Sequence, residues 1–245
     1  MGRTLAILPA AGLGTRMGAG AGAPKQFLDL DGMPLIIFTL RRLAACPSID
    51  EFIISTRSDE VPSLQDRVAL AHLGKPARVV HGGDTRQSSV SNALAQSAPE
   101  VEIVVVHDAV RPFVTVDMAE RVIAEARSRG AAILGIPAID TVKEVKRASL
   151  PQDVALITGT IPRERIVLAQ TPQAFSAVLL RQAFAHAQAD DFTASDEAAL
   201  VERLGHDVFV VLGSERNLKI TRPADMDLAR FYLQQEHAAQ HGKSS

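Results

Sequence analysis

Residues Ile103-Val104-Val105-Val106 form an apolar run without polar alternation. Such a run is typical of a strand that is buried on both faces, as strands are in the middle of a parallel sheet covered by helices. The polar run His107-Asp108-Ala109-Val110-Arg111-Pro112 follows at once. Open α/β sheets bind ligands beyond the carboxyl ends of their strands. The stretch therefore predicts the central strand of an α/β fold, with Asp108 and Arg111 as candidate site residues.

Short β-branched runs alternate with amphipathic segments on both sides of this strand. Strands are predicted at residues 4–8, 51–55, 77–80, 102–106, 131–136 and 207–212. Helices are predicted at residues 35–43, 61–73, 86–94, 118–126, 177–187 and 195–204, and from residue 225 onward. This alternation predicts a mostly parallel sheet flanked by helices. Residues 138–165 lose helical periodicity and are predicted as an extended arm, and residues 237–245 as a frayed tail.

Composition limits the class of protein. A chain of 245 residues, 47% of them hydrophobic, without an internal repeat or linker, predicts one domain over residues 1–245. A net charge of -2 gives no overall attraction to nucleic acid or to anionic membranes, although local basic clusters can still bind small anions. The single cysteine, Cys46, excludes an internal disulfide. Without a signal-peptide pattern or an apolar run of roughly 20 residues, we expect a cytoplasmic protein.

A glycine-rich segment follows the first predicted strand. It runs Leu8-Pro9-Ala10-Ala11-Gly12-Leu13-Gly14-Thr15-Arg16-Met17-Gly18 and continues to Pro24-Lys25-Gln26-Phe27. Glycines let backbone N–H groups approach phosphate oxygens, and Arg16 and Lys25 add positive charge. The segment is neither a P-loop, because it lacks Gly-Lys-Ser/Thr, nor a dinucleotide fingerprint, because Met17 replaces its third glycine. It predicts a phosphate-binding loop, with a flexible connection as the alternative.

Three further segments each allow a functional and an ordinary interpretation. Asp108 could hold Mg²⁺ beside a triphosphate, or it could cap the next turn and pair with Arg111. The segment Gly82-Gly83-Asp84-Thr85-Arg86-Gln87-Ser88 could present donors to a nucleotide, or it could simply cap the following helix. Lys219, in Asn217-Leu218-Lys219-Ile220-Thr221, is either a site cation or a solvated surface lysine. Spacing alone does not separate these interpretations.

Several motifs occur together and in order. They are Ala10-Ala11-Gly12 with Arg16-Met17-Gly18, Pro24-Lys25-Gln26, His107-Asp108-Ala109-Val110-Arg111-Pro112, Thr171-Pro172-Gln173 and Asn217-Leu218-Lys219-Ile220-Thr221. In this combination the chain resembles the 2-C-methyl-D-erythritol 4-phosphate cytidylyltransferase family of isoprenoid precursor biosynthesis, over about residues 5–233. Agreement among several independent motifs is more specific than any one of them.

The resemblance implies a Rossmann-like nucleotidyltransferase fold and the transfer of CMP from CTP to a polyol phosphate, 2-C-methyl-D-erythritol 4-phosphate, with release of pyrophosphate. It implies that CTP is bound by Pro9, Ala10, Ala11, Gly12, Gly14, Gly82, Asp84 and Ser88. It implies that the catalytic cations flanking the triphosphate are Arg16, Lys25 and Lys219. Around the acceptor it places Asp108, Arg111, Thr141, Thr171 and Ser195.

The resemblance also implies a divalent cation, Mg²⁺ or another, held by Asp108. The family's exchanged arm implies a homodimer in which Arg163 reaches the site of the partner subunit. Ser195 stands where the family usually has Thr before Asp-Glu, so this contact keeps the hydroxyl and loses the methyl group.

Two other functions compete with this one. Ribitol 5-phosphate cytidylyltransferases share several of the motifs, but they tend toward a glycine at the position of Ala11 and toward Ala-Cys at Glu197-Ala198. A non-catalytic nucleotide-binding regulator is the alternative from another class, and it has no need of so many charges at the site. The sequence contains neither HExxH nor GxSxG, so hydrolase chemistry has no support.

Overall fold

A seven-stranded sheet forms the centre of the structure, a computed structural model that describes residues 2–12, 24–146 and 154–241. The strands are β1 (Arg3–Pro9), β2 (Asp29–Leu30), β3 (Met33–Pro34), β4 (Glu51–Thr56), β5 (Ala77–His81), β6 (Val101–Val106), β7 (Ala131–Pro137), β8 (Val142–Lys146), β9 (Leu156–Ile161), β10 (Val167–Ser176) and β11 (Phe209–Leu212). The helices are α1 (Leu35–Ala44), α2 (Val61–Leu70), α3 (Arg86–Ala95), α4 (Val116–Arg129), α5 (Ala177–Ala189), α6 (Glu197–Arg203) and α7 (Pro223–His241).

The order of strands in the large sheet is β11-β7-β10-β6-β1-β4-β5. β6 lies in the middle, so the prediction of a central strand at residues 103–106 is confirmed. Every pairing in this sheet is parallel except those of β10, which runs antiparallel to β6 and β7. The prediction of a mostly parallel sheet flanked by helices is therefore also confirmed. The carboxyl ends of the parallel strands meet at one edge, and β10 enters the sheet from that same edge.

Burial on both faces explains why β6 carries no polar alternation. Ile103 and Val105 pack into the core on the side of α1 and α4, whereas Val104 and Val106 pack into the core on the side of α3 and α5. Successive side chains of a strand point to opposite faces. Because apolar helices cover both faces, a polar residue at any of these positions would lose its hydration without gaining a partner.

Among the described strands of the large sheet, β10 is the one that the pattern of residues did not predict. It contains Pro172, which has no N–H to donate to a sheet ladder and is tolerated at irregularities. Its register against β7 shifts between Gln170 and Gln173, so that Thr171 and Pro172 are left out of the ladder. The irregularity lies next to the carboxyl end of β6, since Gln173 is paired with Val106.

The stretch predicted as an extended arm contains β8 and β9, which form a separate two-stranded antiparallel sheet. Several apolar side chains on it are exposed, among them Val145, Leu156 and Ile157. None of the helices in the described part of the chain combines the length and the apolar character needed to span a membrane.

The last helix extends into the segment predicted as a frayed tail, residues 237–245. α7 continues through His241, and residues 242–245 lie outside the described residues. No glycine or proline interrupts the sequence between Ala224 and Gln240, and the ion pair between Arg42 and Glu236 fixes the helix to α1. The absence of a helix breaker, together with this tertiary contact, outweighs the polar composition of the segment.

We expect Thr115→Ala to lower the free energy of unfolding by about 1 kcal/mol, because Thr115 is the N-cap of α4. Its side chain accepts a hydrogen bond from the backbone N–H of Met118 at 3.2 Å. Urea unfolding followed by circular dichroism measures the change. Thr115→Ser keeps the hydroxyl and is the matched control; equal losses in both variants would contradict the capping role.

Candidate active site

Two adjoining cavities lie at the edge where the parallel strands end. The first has a volume of about 230 Å³ and is lined by Pro9, Ala10, Ala11, Gly12, Lys25, Gln26, Gly83, Asp84, Thr85, Arg86, Ser89, Asp108, Ala109, Val110 and Lys219. The second has a volume of about 170 Å³ and is lined by Arg86, Asp108, Arg111, Ala169, Gln170, Thr171, Gln173, Ser195, Asp196 and Lys219. Arg86, Asp108 and Lys219 line both cavities, and we call these three residues the shared wall.

Asp108 is the centre of the shared wall. Three cations of the described residues contact its carboxylate: Lys219 Nζ lies 2.8 Å from Oδ2, Arg86 Nε 3.3 Å from Oδ1, and Arg111 Nε 3.4 Å from Oδ2. Burial alone raises the pKa of Asp108, but Lys219, Arg86 and Arg111 outweigh it and hold the pKa well below its ordinary value. Asp108 is therefore ionised at neutral pH.

Lys219 reaches Asp108 because backbone contacts hold its segment against the residues after β6. The backbone N–H of Ile220 donates to the carbonyl of Val110 at 2.9 Å. Arg111 Nη1 donates to the carbonyl of Asn217 at 2.7 Å. These contacts join two parts of the chain that are far apart in sequence, and they place Lys219 in the site rather than on a solvated surface.

A buried hydrogen-bond network lies behind Asp108. His107 Nε2 is 3.1 Å from the carbonyl oxygen of Arg111, and His107 Nδ1 is 3.1 Å from Thr171 Oγ1. A carbonyl oxygen only accepts, so Nε2 carries the proton and Nδ1 accepts from the Thr171 hydroxyl. The same hydroxyl accepts from the backbone N–H of Asp108 at 3.0 Å. Thr171 thus ties β10 to the loop that carries Asp108.

In the loop before α3, two of the residues predicted to bind CTP, Gly82 and Ser88, line neither cavity. Ser88 Oγ accepts from the backbone N–H of Thr85 at 2.9 Å, and the Thr85 hydroxyl accepts from the N–H of Ser88, so these residues form a capping box. Ser88 therefore lines neither cavity of the site. Ser89, the next residue, lines the first cavity and accepts from the backbone N–H of Gly83 at 3.0 Å.

Gly82 permits the close approach of this loop to the segment after β1. A Cβ atom on Gly82 would lie 3.0 Å from the Cβ of Ala11 and 3.0 Å from Ser89 Oγ. Such distances are tighter than packed side chains normally adopt. The absence of a side chain at Gly82 therefore allows the two loops to touch, and Gly82 itself lines neither cavity.

Most of the residues singled out from the sequence converge. Those that line the first cavity are Pro9, Ala10, Ala11, Gly12, Lys25, Asp84, Asp108 and Lys219. Those that line the second are Asp108, Arg111, Thr171, Ser195 and Lys219. Gly14 and Arg16 lie outside the described residues.

Two residues that were predicted to contact the acceptor line neither cavity. Thr141 and Arg163 are exposed near the base of the arm, where Arg163 Nη1 donates to the carbonyl of Ile139 at 2.6 Å.

Sequence reasoning missed Gln26, Arg86 and Glu197. Gln26 is buried and donates through Nε2 to the carbonyl of Ala10 at 2.6 Å, so it fixes the loop after β1. Arg86 lies between Asp108 and the buried Glu197. A charged residue at the start of a helix is usually exposed, so no sequence pattern singles out Glu197. Only its burial in the structure distinguishes it from a surface residue.

A divalent cation would have to draw most of its ligands from a substrate. Within residues 2–12, 24–146 and 154–241, no group of three or more His, Cys, Asp or Glu side chains could hold a metal ion. Mg²⁺ at nucleotides is usually held by one or two carboxylates together with phosphate oxygens and water. The Asp108 carboxylate fits such a site, because it supplies oxygen ligands at the wall of both cavities.

The chain matches the model of the family described as 2-C-methyl-D-erythritol 4-phosphate cytidylyltransferase over residues 4–235. It is 52% identical to the protein of that name from Acidobacterium capsulatum, over 95% of this chain and 98% of the relative. It is 47% identical to the one from Solibacter usitatus, over 95% and 96% of the two chains.

Solved structures agree with these sequence matches. The crystal structure of 2-C-methyl-D-erythritol 4-phosphate cytidylyltransferase from Thermus thermophilus aligns with a TM-score of 0.76 and 34% identity, over 96% of this chain and all of the other. That of 4-diphosphocytidyl-2C-methyl-D-erythritol synthase from Anaerococcus prevotii aligns with a TM-score of 0.81 and 29% identity, over 95% and 96%.

We expect His107 to stay neutral far below the ordinary pKa of histidine. Burial lowers its pKa from 6.5 to about 4. The unfolded chain therefore binds a proton between pH 6.5 and about 4 that the folded chain does not, and this group makes the folded state less stable as the pH falls through that window. Titration of the imidazole C–H signals by NMR, assigned from histidine variants, measures the midpoint. A midpoint near 6.5 would contradict the buried, neutral His107.

Proposed function

Because the chain belongs to the 2-C-methyl-D-erythritol 4-phosphate cytidylyltransferase family, it is a cytidylyltransferase of isoprenoid biosynthesis, and we propose that its two adjoining cavities hold CTP and the acceptor phosphate. The observation that carries this assignment is the shared wall, where Asp108, Lys219 and Arg86 face both cavities. Two anionic substrates in these cavities would meet at a cluster of cations. Transfer of a nucleotidyl group requires that the two substrates lie next to each other in this way.

The first cavity suits a nucleoside triphosphate. The Ala10 N–H donates to the carbonyl of Ser55, but the backbone at Ala11 and Gly12 lies just beyond it, so the N–H groups of these two residues can face phosphate oxygens. Lys25 and Lys219 bring positive charge to the same cavity. By the family resemblance Gly14 and Arg16 complete the loop. Asp84, with Gly83 and Ser89 beside it, would contact the nucleoside, whereas Gly82 and Ser88 act through loop packing and helix capping.

The second cavity suits a phosphate monoester. Arg111, Lys219 and the exposed residue Ser195 line it, and the hydroxyl of Thr171 holds its wall in place. The second pKa of a phosphate monoester is about 6, so at neutral pH the acceptor is mostly a dianion and can attack the α-phosphorus without a protein base. His107 is buried and neutral and has no part in proton transfer.

The residues of the site would lower the barrier by electrostatics. The acceptor oxygen forms a bond to the α-phosphorus while the bond from that phosphorus to the leaving pyrophosphate breaks. Negative charge spreads over the phosphate oxygens during this step, and Arg16, Lys25 and Lys219 would stabilise it. A Mg²⁺ ion held by Asp108 would supply further positive charge to the triphosphate oxygens.

A second copy of the chain would complete the site. Thr141 and Arg163 lie near the base of the arm and away from both cavities, and the arm exposes apolar residues such as Leu156 and Ile157. Burial of these side chains against a partner is favourable. We therefore infer a homodimer of single-domain subunits in which the arm carries Arg163 to the site of the partner.

The net charge of -2 favours an enzyme without nucleic-acid or anionic-membrane partners. A location in the cytoplasm stays a prediction.

Pyrophosphate release tests the function directly. With CTP and Mg²⁺ we expect turnover on 2-C-methyl-D-erythritol 4-phosphate, little on ribitol 5-phosphate, and none after chelation of the metal. ATP, GTP and UTP are the donor controls. A preference for ribitol phosphate would keep the mechanism and change the acceptor. CTP binding without turnover on either acceptor would favour a regulator.

We expect Lys25→Ala and Lys219→Ala each to lower kcat/KM by at least about 100-fold, equivalent to about 2.7 kcal/mol, because each removes a cation from the phosphate-binding cavity. Steady-state kinetics with both substrates varied measures the loss. Arg67→Ala, on the exposed face of α2, is the matched control for removal of a cation. An unchanged rate in either lysine variant would remove that lysine from the proposed role.

A further inference from the structure

An ion pair at the shared wall has no role in the mechanism above. Arg86 is the first residue of α3, and its Nη1 donates to both carboxylate oxygens of Glu197, at 2.8 and 2.9 Å. Glu197 is the first residue of α6, and only 1% of its surface is exposed. A carboxylate buried to this degree is costly unless a cation compensates it. Each member of the pair therefore holds the other in place.

The guanidinium of Arg86 still has donors to offer. A guanidinium has five N–H groups, and Arg86 directs those on Nη1 to Glu197 and the one on Nε to Asp108. Nη2 donates no hydrogen bond to any residue in the described ranges, and it is not among their buried polar atoms without a partner. Because Arg86 lines both cavities, its Nη2 is available to a ligand there.

Asp108 alone would hold Arg86 only loosely. Its contact with Arg86 is 3.3 Å long, whereas its contact with Lys219 is 2.8 Å, and Arg111 shares the same carboxylate. Phosphate oxygens or a metal ion entering the site would compete for these partners. The two-oxygen contact with Glu197 is made through Nη1 and does not depend on Asp108, so it survives that exchange.

We propose that Glu197 is a positioning residue for nucleotidyl transfer, which holds the Arg86 guanidinium at the shared wall so that Nη2 binds phosphate oxygens of the reacting pair. This inference rests on the proposed function. It adds Arg86 to the cations that bind phosphate oxygens in the proposed mechanism. A donor that is fixed before the substrates arrive stabilises the developing charge without a cost of reorganisation. The planar guanidinium holds its donors in a fixed fork, so it can donate to Glu197 and to a phosphate oxygen at the same time.

A double-mutant cycle tests the coupling of the two residues. It compares the wild type with Glu197→Gln, Arg86→Ala and the double variant, by kcat, by KM for each substrate and by CTP affinity in titration calorimetry. We expect each single variant to lower kcat by about 10-fold or more, and the double variant to lie within about 2-fold of Arg86→Ala. Glu202→Gln, on the exposed face of α6, is the matched control and should keep the wild-type rate.

Two further measurements distinguish a positioning role of Glu197 from a loss of the fold and from a failure of the proposed function. Glu197→Asp keeps the charge but shortens the side chain, so we expect a stable fold, measured by thermal unfolding, with kcat still lowered. Wild-type kcat in folded Glu197→Gln, or effects that multiply in the double variant, would overturn the proposal. If the wild type binds CTP but transfers nothing, the proposed function fails, and the cycle in CTP affinity then decides the role of Glu197. If the wild type does not bind CTP, the proposed function and the proposed role of Glu197 both fail.

Discussion

The burial of one carboxylate organises this site. Asp108 follows the central strand, is almost fully excluded from solvent, and stays ionised because Lys219, Arg86 and Arg111 surround it. These cations come from the segment after β11, from the start of α3 and from the loop after β6. A buried charge requires such compensation, so the need of Asp108 for partners brings distant parts of the chain together. The resulting cation cluster is assembled before an anionic substrate arrives.

The antiparallel strand β10 builds the second half of the site. A parallel strand in its place would present only its carboxyl end at this edge, whereas β10 enters there and brings Thr171 next to His107 and Asp108. The same part of β10 contacts the segment of Lys219, since Asn217 Nδ2 donates to the carbonyl of Thr171 at 2.8 Å. Both cavities therefore depend on the one reversal of direction in the large sheet, because the residues that β10 holds in place line both of them.

Sequence reasoning located the other strands of the large sheet to within about two residues, because burial on both faces leaves a clear apolar run. It missed β10, whose glutamines and Pro172 do not resemble a buried strand. It also chose Ser88, whereas Ser89 is the serine that lines the first cavity. Adjacent residues on a helix face different directions, and the capping box with Thr85 decides which serine faces the first cavity.

By itself, the sequence determined the class of fold, the central strand, the family and about half of the residues that line the two cavities. These follow from local patterns: apolar runs, glycines beside cations, and ordered motifs. Only the tertiary structure decided that Lys219, Arg86 and Arg111 share Asp108, that Glu197 anchors Arg86, and that Thr141 and Arg163 lie apart from both cavities. Contacts between residues far apart in the chain depend on strand order and direction, and no local pattern records these.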